Sequence, residues 1–226
     1  MGKERIDVIY EDNHIIAVNK SAGVLVHGDA TGDRTLSDMV KAYIRVKYKK
    51  PGDVFLGVIH RIDRPVSGVV VFARTSKALI RMNDLLRDKK ISKIYTAIVW
   101  ERPENMEGRL VHYILKDHKV NKVKALKKEK KGSKRAVLTY TFEAEISHYI
   151  KLTVRPETGR PHQIRAQLSA MGCTIVGDRK YGYRKFNEDK SICLHCREMS
   201  FQHPVKKEPL TIRAPEPATP IWSLFN

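Results

Sequence analysis

Strand-like stretches outnumber helical ones in this chain, and they do not take turns with them. IDVIYEDNHIIAVNK (6–20) reads as two strands around the turn EDNH, and GVVVFA (68–73) as a buried strand. ISKIYTAIVW (91–100) is another, and RAVLTYTFEAEI (135–146) and YIKLTVRPE (149–157) alternate as neighbouring strands do. SICLHCREMSFQHP and PLTIRAP close the chain as strands. Helical spacing appears in three places. In TLSDMVKAYIRVKYKK (35–50) the apolar residues fall at 36, 39, 40, 43, 44 and 46, with Thr35 as cap. SKALIRMNDLLRDKK (76–90) carries the stripe Leu79, Met82, Leu85 and Leu86, with Ser76 as N-cap. PHQIRAQLSAMG (161–172) has Pro161 in its first turn and Gly172 at its end. A doubly wound fold needs strict alternation of strand and helix. This order predicts an α+β fold, with a mixed, mainly antiparallel sheet and flanking helices.

No repeat and no clean linker divides the chain, so residues 1–226 are expected to form a single domain. No apolar run approaches a membrane span, and the charged start MGKERIDVIYEDNH lacks the apolar block of a signal peptide. A cytoplasmic, monomeric protein with no membrane contact is expected. Cys173, Cys193 and Cys196 are too few for a disulfide scaffold. CLHC (193–196) has a metal-like look. On a strand, however, Cys193 and Cys196 point to opposite faces and do not readily share an ion, so no metal is expected.

Charge narrows the partner. There are 43 Lys and Arg against 25 Asp and Glu, a formal net charge of +18. Such an excess attracts a polyanion through its charge-dense phosphates. Much of it lies in KDHKVNKVKALKKEKKGSKR (116–135), ten cations against Asp117 and Glu129. It reads as a solvated basic loop able to contact phosphate.

Three polar constellations stand out. In HRIDRPVSG (60–68), Asp63 is the one acid among His60, Arg61 and Arg64, between VFLGVI and GVVVFA. The cations favour its ionised form, which suits nucleophilic attack or stabilisation of a developing cation. A plain structural ion pair is the competing reading. In PETGRPHQIRAQL (156–168), Gly159 permits a turn, and Arg160, His162, Gln163 and Arg165 crowd a helix start, a seat for a phosphate or for the Asp63 carboxylate. In SKIYTAIVW, Tyr95 shares a face with Ala97 and Val99, either as a packed aromatic or as a platform for a flipped base. No nucleophile elbow, Walker loop, dinucleotide fingerprint or metalloprotease helix is present.

Five segments in order resemble the catalytic domain of the RluA-type pseudouridine synthases: IYEDNHIIAVNKSAGVLVH, HRIDRPVSGVVVFART, SKIYTAIVW, RPETGRPHQIRAQLSAMGCTIVGDRKYG and LHCREMSFQHP. The resemblance spans about residues 6 to 222. It implies that Asp63 is the catalytic carboxylate, Tyr95 the active-site tyrosine, Arg165 the partner of the aspartate, and Arg61 a residue that holds remodelled RNA. His60, Arg64, Arg160, His162 and Gln163 join Arg61 as expected RNA-binding residues. It also implies a basic active-site cleft, no cofactor, and ribosomal or transfer RNA as substrate. Val66 and Cys196 stand where the family usually has Thr and Ala. Many relatives carry an N-terminal S4 domain, which this sequence is expected to lack. A non-catalytic RNA-binding or ribosome-associated module on the same fold is the alternative. A nucleosidase is weaker, because no second carboxylate accompanies Asp63 in these motifs.

Overall fold

The computed structural model describes residues 6–28, 32–117 and 120–225. In chain order the elements are β1 (Asp7–Glu11), β2 (Ile15–Lys20), α1 (Leu36–Lys47), β3 (Gly57–Val58), β4 (Ser67–Ala73), α2 (Ser76–Arg87) and β5 (Ser92–Val99). There follow β6 (Glu107–Asp117), β7 (Lys122–Leu126), β8 (Lys134–Ile146), β9 (Tyr149–Pro156), α3 (Gln163–Ala170), a short 3-10 turn (Arg179–Tyr181), β10 (Leu194–Gln202), β11 (Pro209–Arg213) and α4 (Pro220–Ser223). The architecture is α+β, and the strands run in groups rather than alternating with helices. Among the described residues, no helix is long and apolar enough to cross a membrane.

The chain divides into two compact units. The first comprises Met1–Ser92 and Cys196–Pro215. Its strands follow the order β1-β2-β4-β10, with β3 beside β4 and β11 beside β10. β2 and β4 are its centre: Ile15 to Val18 and Val69 to Ala73 have no exposed surface. The β1–β2 turn is closed by Asp12, whose carboxylate accepts the N–H groups of His14 and Ile15, both at 2.8 Å. His203 Nε2 lies 2.8 Å from the same carboxylate and ties that turn to the segment between β10 and β11. α1 begins with a capping box, Thr35 and Asp38 each bonding the other's backbone N–H, and buries Leu36, Met39, Val40 and Ile44. α2 is capped by Thr75, not Ser76, because the Thr75 hydroxyl accepts the Ala78 N–H at 3.2 Å.

The second unit comprises Lys93–His195 and Glu216–Asn226. Its strands run β5-β9-β8-β6-β7, every neighbouring pair antiparallel. Ile114, Val123, Ala136, Ala166 and Tyr181 form a buried cluster beneath β6, β7 and α3. Residues 116–135 differ from the expected loop. Lys122–Leu126 is a strand paired with β6, while His118 and Lys119 lie outside the described residues. Cys193 precedes β10 instead of lying in it. Burial pushes the thiols of Cys173 and Cys193 up to about 11 and about 12, which suits packing and not nucleophilic chemistry.

Candidate active site

Within the first unit, HRIDRPVSG leads into β4. Ile62 and Val66 are buried, Arg61 and Arg64 are exposed, and Asp63 between them is half-buried. The Val66 N–H donates to the Asp63 carbonyl at 3.1 Å, closing a tight turn. The apolar residues sink into the core, which leaves the carboxylate at its boundary. Gly68 ends the motif for a steric reason. Its φ is +115°, and a Cβ there would collide with the backbone of Cys196.

Two cations brace this turn. Lys20, the last residue of β2, has no exposed surface. Its Nζ donates to the carbonyls of Ser21 at 2.9 Å, Val24 at 2.8 Å and Arg64 at 3.1 Å. Three protons thus meet three acceptors, joining the strand end, the following loop and the residue after Asp63. Arg64 is the second brace. Its Nε donates to the Gly23 carbonyl at 2.8 Å, and its Nη1 pairs with Asp33 at 2.8 Å. Arg64 was expected to hold RNA; these bonds tie its exposed guanidinium to Gly23 and Asp33. His60 was also expected to hold RNA. It is buried, and its Nε2 accepts the Val71 N–H at 3.1 Å, so the ring belongs to the packing of β4. Arg61 stays exposed and bonds to no described residue.

Burial pushes Lys20 down to about 7, and the nearby Asp63 carboxylate opposes that shift. Unfolded, the amine regains its ordinary value of 10.5, so between about 7 and 10.5 the unfolded chain holds more protons. Stability from this group is therefore present at high pH and is lost as pH falls through about 7. The thermal midpoint of wild type minus that of Lys20→Met is expected to grow between about pH 6.5 and about pH 9.5. A constant difference across that range would show that burial does not perturb Lys20.

In the second unit, Tyr95 lies on β5 opposite Val154 and is 8% exposed. Its neighbours Thr96, Ala97, Ile98 and Val99 have no exposed surface, so the strand holds the ring rigidly. Arg165 sits in the first turn of α3, buried. Its Nε meets Asp178 at 2.7 Å and its Nη2 meets the other oxygen at 2.9 Å, a bidentate pair. The guanidinium also stands 4.9 Å from the Tyr181 ring centre. The Tyr181 hydroxyl accepts the Val123 N–H at 3.0 Å and lies 2.8 Å from His162 Nδ1.

The helix start was expected to seat an anion. Gln163 is buried. Its Oε1 accepts from the Thr158 hydroxyl at 2.7 Å and the Arg160 N–H at 3.0 Å, and its Nε2 donates to the Val137 carbonyl at 2.9 Å. These bonds use its amide inside the fold. Arg160 Nε donates to the Arg135 carbonyl at 3.1 Å. His162 takes a left-handed φ of 50° just before α3, and Pro161 falls outside the helix. Sequence reasoning missed Lys20 and Asp178. Asp178 stands in the quoted GDRKYG segment, and Lys20 ends the apolar run IIAVNK. Among the described residues, no three His, Cys, Asp or Glu side chains cluster as metal ligands would.

Comparison with known proteins extends this geometry. The profile of a family described as RNA pseudouridylate synthase matches residues 14–170. Ribosomal large subunit pseudouridine synthase C of Buchnera aphidicola is 33% identical over 92% of this chain, which spans 66% of that relative's length. tRNA pseudouridine synthase C of Vibrio cholerae is 30% identical over 92% of this chain and 90% of its own length. Among solved structures, human RNA pseudouridylate synthase domain containing 4 aligns with a TM-score of 0.79 at 21% identity, over 97% of this chain and 92% of that one. At that identity the likeness shows the fold.

Proposed function

The chain belongs to the RNA pseudouridylate synthase family, and from that premise we propose that it converts specific uridines of ribosomal or transfer RNA into pseudouridine, with Asp63 as the catalytic carboxylate. The observation that carries this reading is the span of the family match. Residues 14–170 include Asp63, Tyr95 and Arg165, each inside a motif of the family.

The reaction breaks the bond from ribose C1′ to uracil N1, turns the base, and joins C1′ to C5. The C5 proton is lost, N1 gains one, and no atom leaves. Two roles fit Asp63. It attacks C1′ and forms a sugar ester, or it removes the 2′ proton and leaves a glycal. Both need an ionised carboxylate held in place. The buried Lys20 and the loop-bound Arg64 support this by fixing the backbone around Asp63. In the same reading Arg165 is a further catalytic residue, and its bidentate grip on Asp178 fixes the guanidinium plane. Tyr95 stacks on the turned base and assists the C5 proton transfer. Arg61, exposed beside Asp63, meets the remodelled RNA.

Pseudouridine mapping tests this on total RNA from cells with and without the gene, complemented by wild type or by Asp63→Ala. One site or a few are expected to vanish and to return only with wild type. Sites that return with Asp63→Ala would remove Asp63 from the chemistry. Sites that never change, together with RNA binding by the purified protein, would favour a non-catalytic RNA-binding module.

A further inference from the structure

The β6–β7 hairpin and the turn into β8 carry a dense run of cations. Lys124, Lys127, Lys128, Lys130, Lys131 and Arg135 are exposed, and none forms an ion pair with a described carboxylate. Three exposed arginines elsewhere in the chain do find acids: Arg45 has Asp53, Arg109 has Glu157, and Arg213 has Glu198.

Strand register sorts the hairpin into two faces. Tyr113 is opposite Leu126 on one side and Arg135 on the other, and Leu115 is opposite Lys124. Directly opposed residues of an antiparallel pair project to the same face. Tyr113, Leu115, Leu126, Lys124 and Arg135 therefore share one face. Ile114, Val123 and Ala136 take the other, which packs on Ala166 and Tyr181. The first face holds three partly exposed apolar side chains bordered by cations. β7 ends the strand order, and lysines on an edge strand also discourage pairing with another chain. That role does not reach Lys127, Lys128, Lys130 and Lys131, which lie beyond the strand.

We propose that this face and the turn at 127–131 form a docking surface for the RNA backbone, belonging to the second unit and distinct from the Asp63 turn. The proposal rests on the reading that the substrate is RNA. Unneutralised lysines release counterions when they meet phosphates, and an aromatic beside them offers a base a stacking plane. The paired strands β6 and β7 present both together.

The test compares two purified full-length variants that each lose four charges. One carries Lys124, Lys127, Lys128 and Lys130→Gln. The other carries Lys41, Lys49, Lys50 and Lys77→Gln, in the first unit. Binding to a ribosomal or transfer RNA transcript is measured against salt concentration. Each lost phosphate contact flattens the log–log slope by about 0.7 to 0.9, so the hairpin variant is expected to lose close to three units of slope and at least about tenfold in affinity at low salt. The control is expected to lose much less. Wild-type affinity and slope in the hairpin variant, or an equal loss in the control, would overturn the proposal. So would loss of binding to anionic phospholipid vesicles with RNA binding intact. All these side chains are exposed, and an unchanged thermal midpoint checks that the fold is kept. If wild type forms no pseudouridine but the hairpin variant still loses RNA, the docking surface stands and the catalytic reading falls.

Discussion

Asp63→Asn is expected to lower the rate of pseudouridine formation at least about a thousandfold, which is about 4 kcal/mol of barrier. The substitution keeps the shape of the side chain and the turn that Val66 closes on the Asp63 carbonyl. What it removes is the negative charge that either path requires, attack at C1′ or removal of the 2′ proton. An amide is a poor nucleophile and a poor base, so no partial rescue is expected at any pH. RNA affinity is expected to hold, because the exposed Arg61 and the cations of the second unit remain. Single-turnover rates on a transcript bearing a mapped site give the measurement. A rate within tenfold of wild type would leave Asp63 as a structural ion-pair partner and would return the search for the nucleophile to the rest of the chain.

The strands were legible because burial imprints its period on them. In β2 and β4 nearly every residue is buried, and the sequence shows unbroken apolar runs. In β8 and β9 one side is more exposed, and the sequence alternates. The first helix announced itself through its apolar spacing and Thr35, local signals that need no tertiary contact; the Asp38 half of its capping box was not read. β7 was hidden by its own position. An edge strand buries little, so only Val123 among KVKAL is buried, and its lysines read as a loop. The cap of α2 was misplaced by one residue because Thr75 and Ser76 offer the same hydroxyl, and only the reach to Ala78 separates them. Asp63 was legible as an acid among cations between apolar runs. The groups around it were not. Lys20 reaches Arg64, forty-four positions along the chain, and Asp178 reaches Arg165 across thirteen. Such pairings depend on how the loops close, and no periodicity reports that. The internal bonds of His60 and Gln163 were hidden for the same reason. Polar side chains near a motif look available until the backbone groups that claim them are known.

Asp178→Ala is expected to destabilise the protein by about 3–5 kcal/mol, because it removes the bidentate carboxylate that holds the buried Arg165 guanidinium. For a chain of this size each kcal/mol shifts the thermal midpoint by about 2–4 °C, so a fall near 10 °C is expected. Both partners are almost wholly buried, at 5% and 1% exposed, so solvent does little to screen the loss. Asp178→Asn retains an acceptor oxygen and is expected to fall by about half as much. The double variant Arg165→Met with Asp178→Leu removes both charges and fills similar volume. Apolar replacement of a buried ion pair is often neutral, so most of the lost stability is expected to return. Activity is expected to stay lost, because Arg165, proposed as a catalytic residue, is gone. The two readouts then separate what the pair does for folding from what Arg165 does for the reaction. A double variant that is both stable and active would remove Arg165 from the chemistry. A wild-type midpoint in Asp178→Ala would show that Asp178 is not what compensates the buried cation.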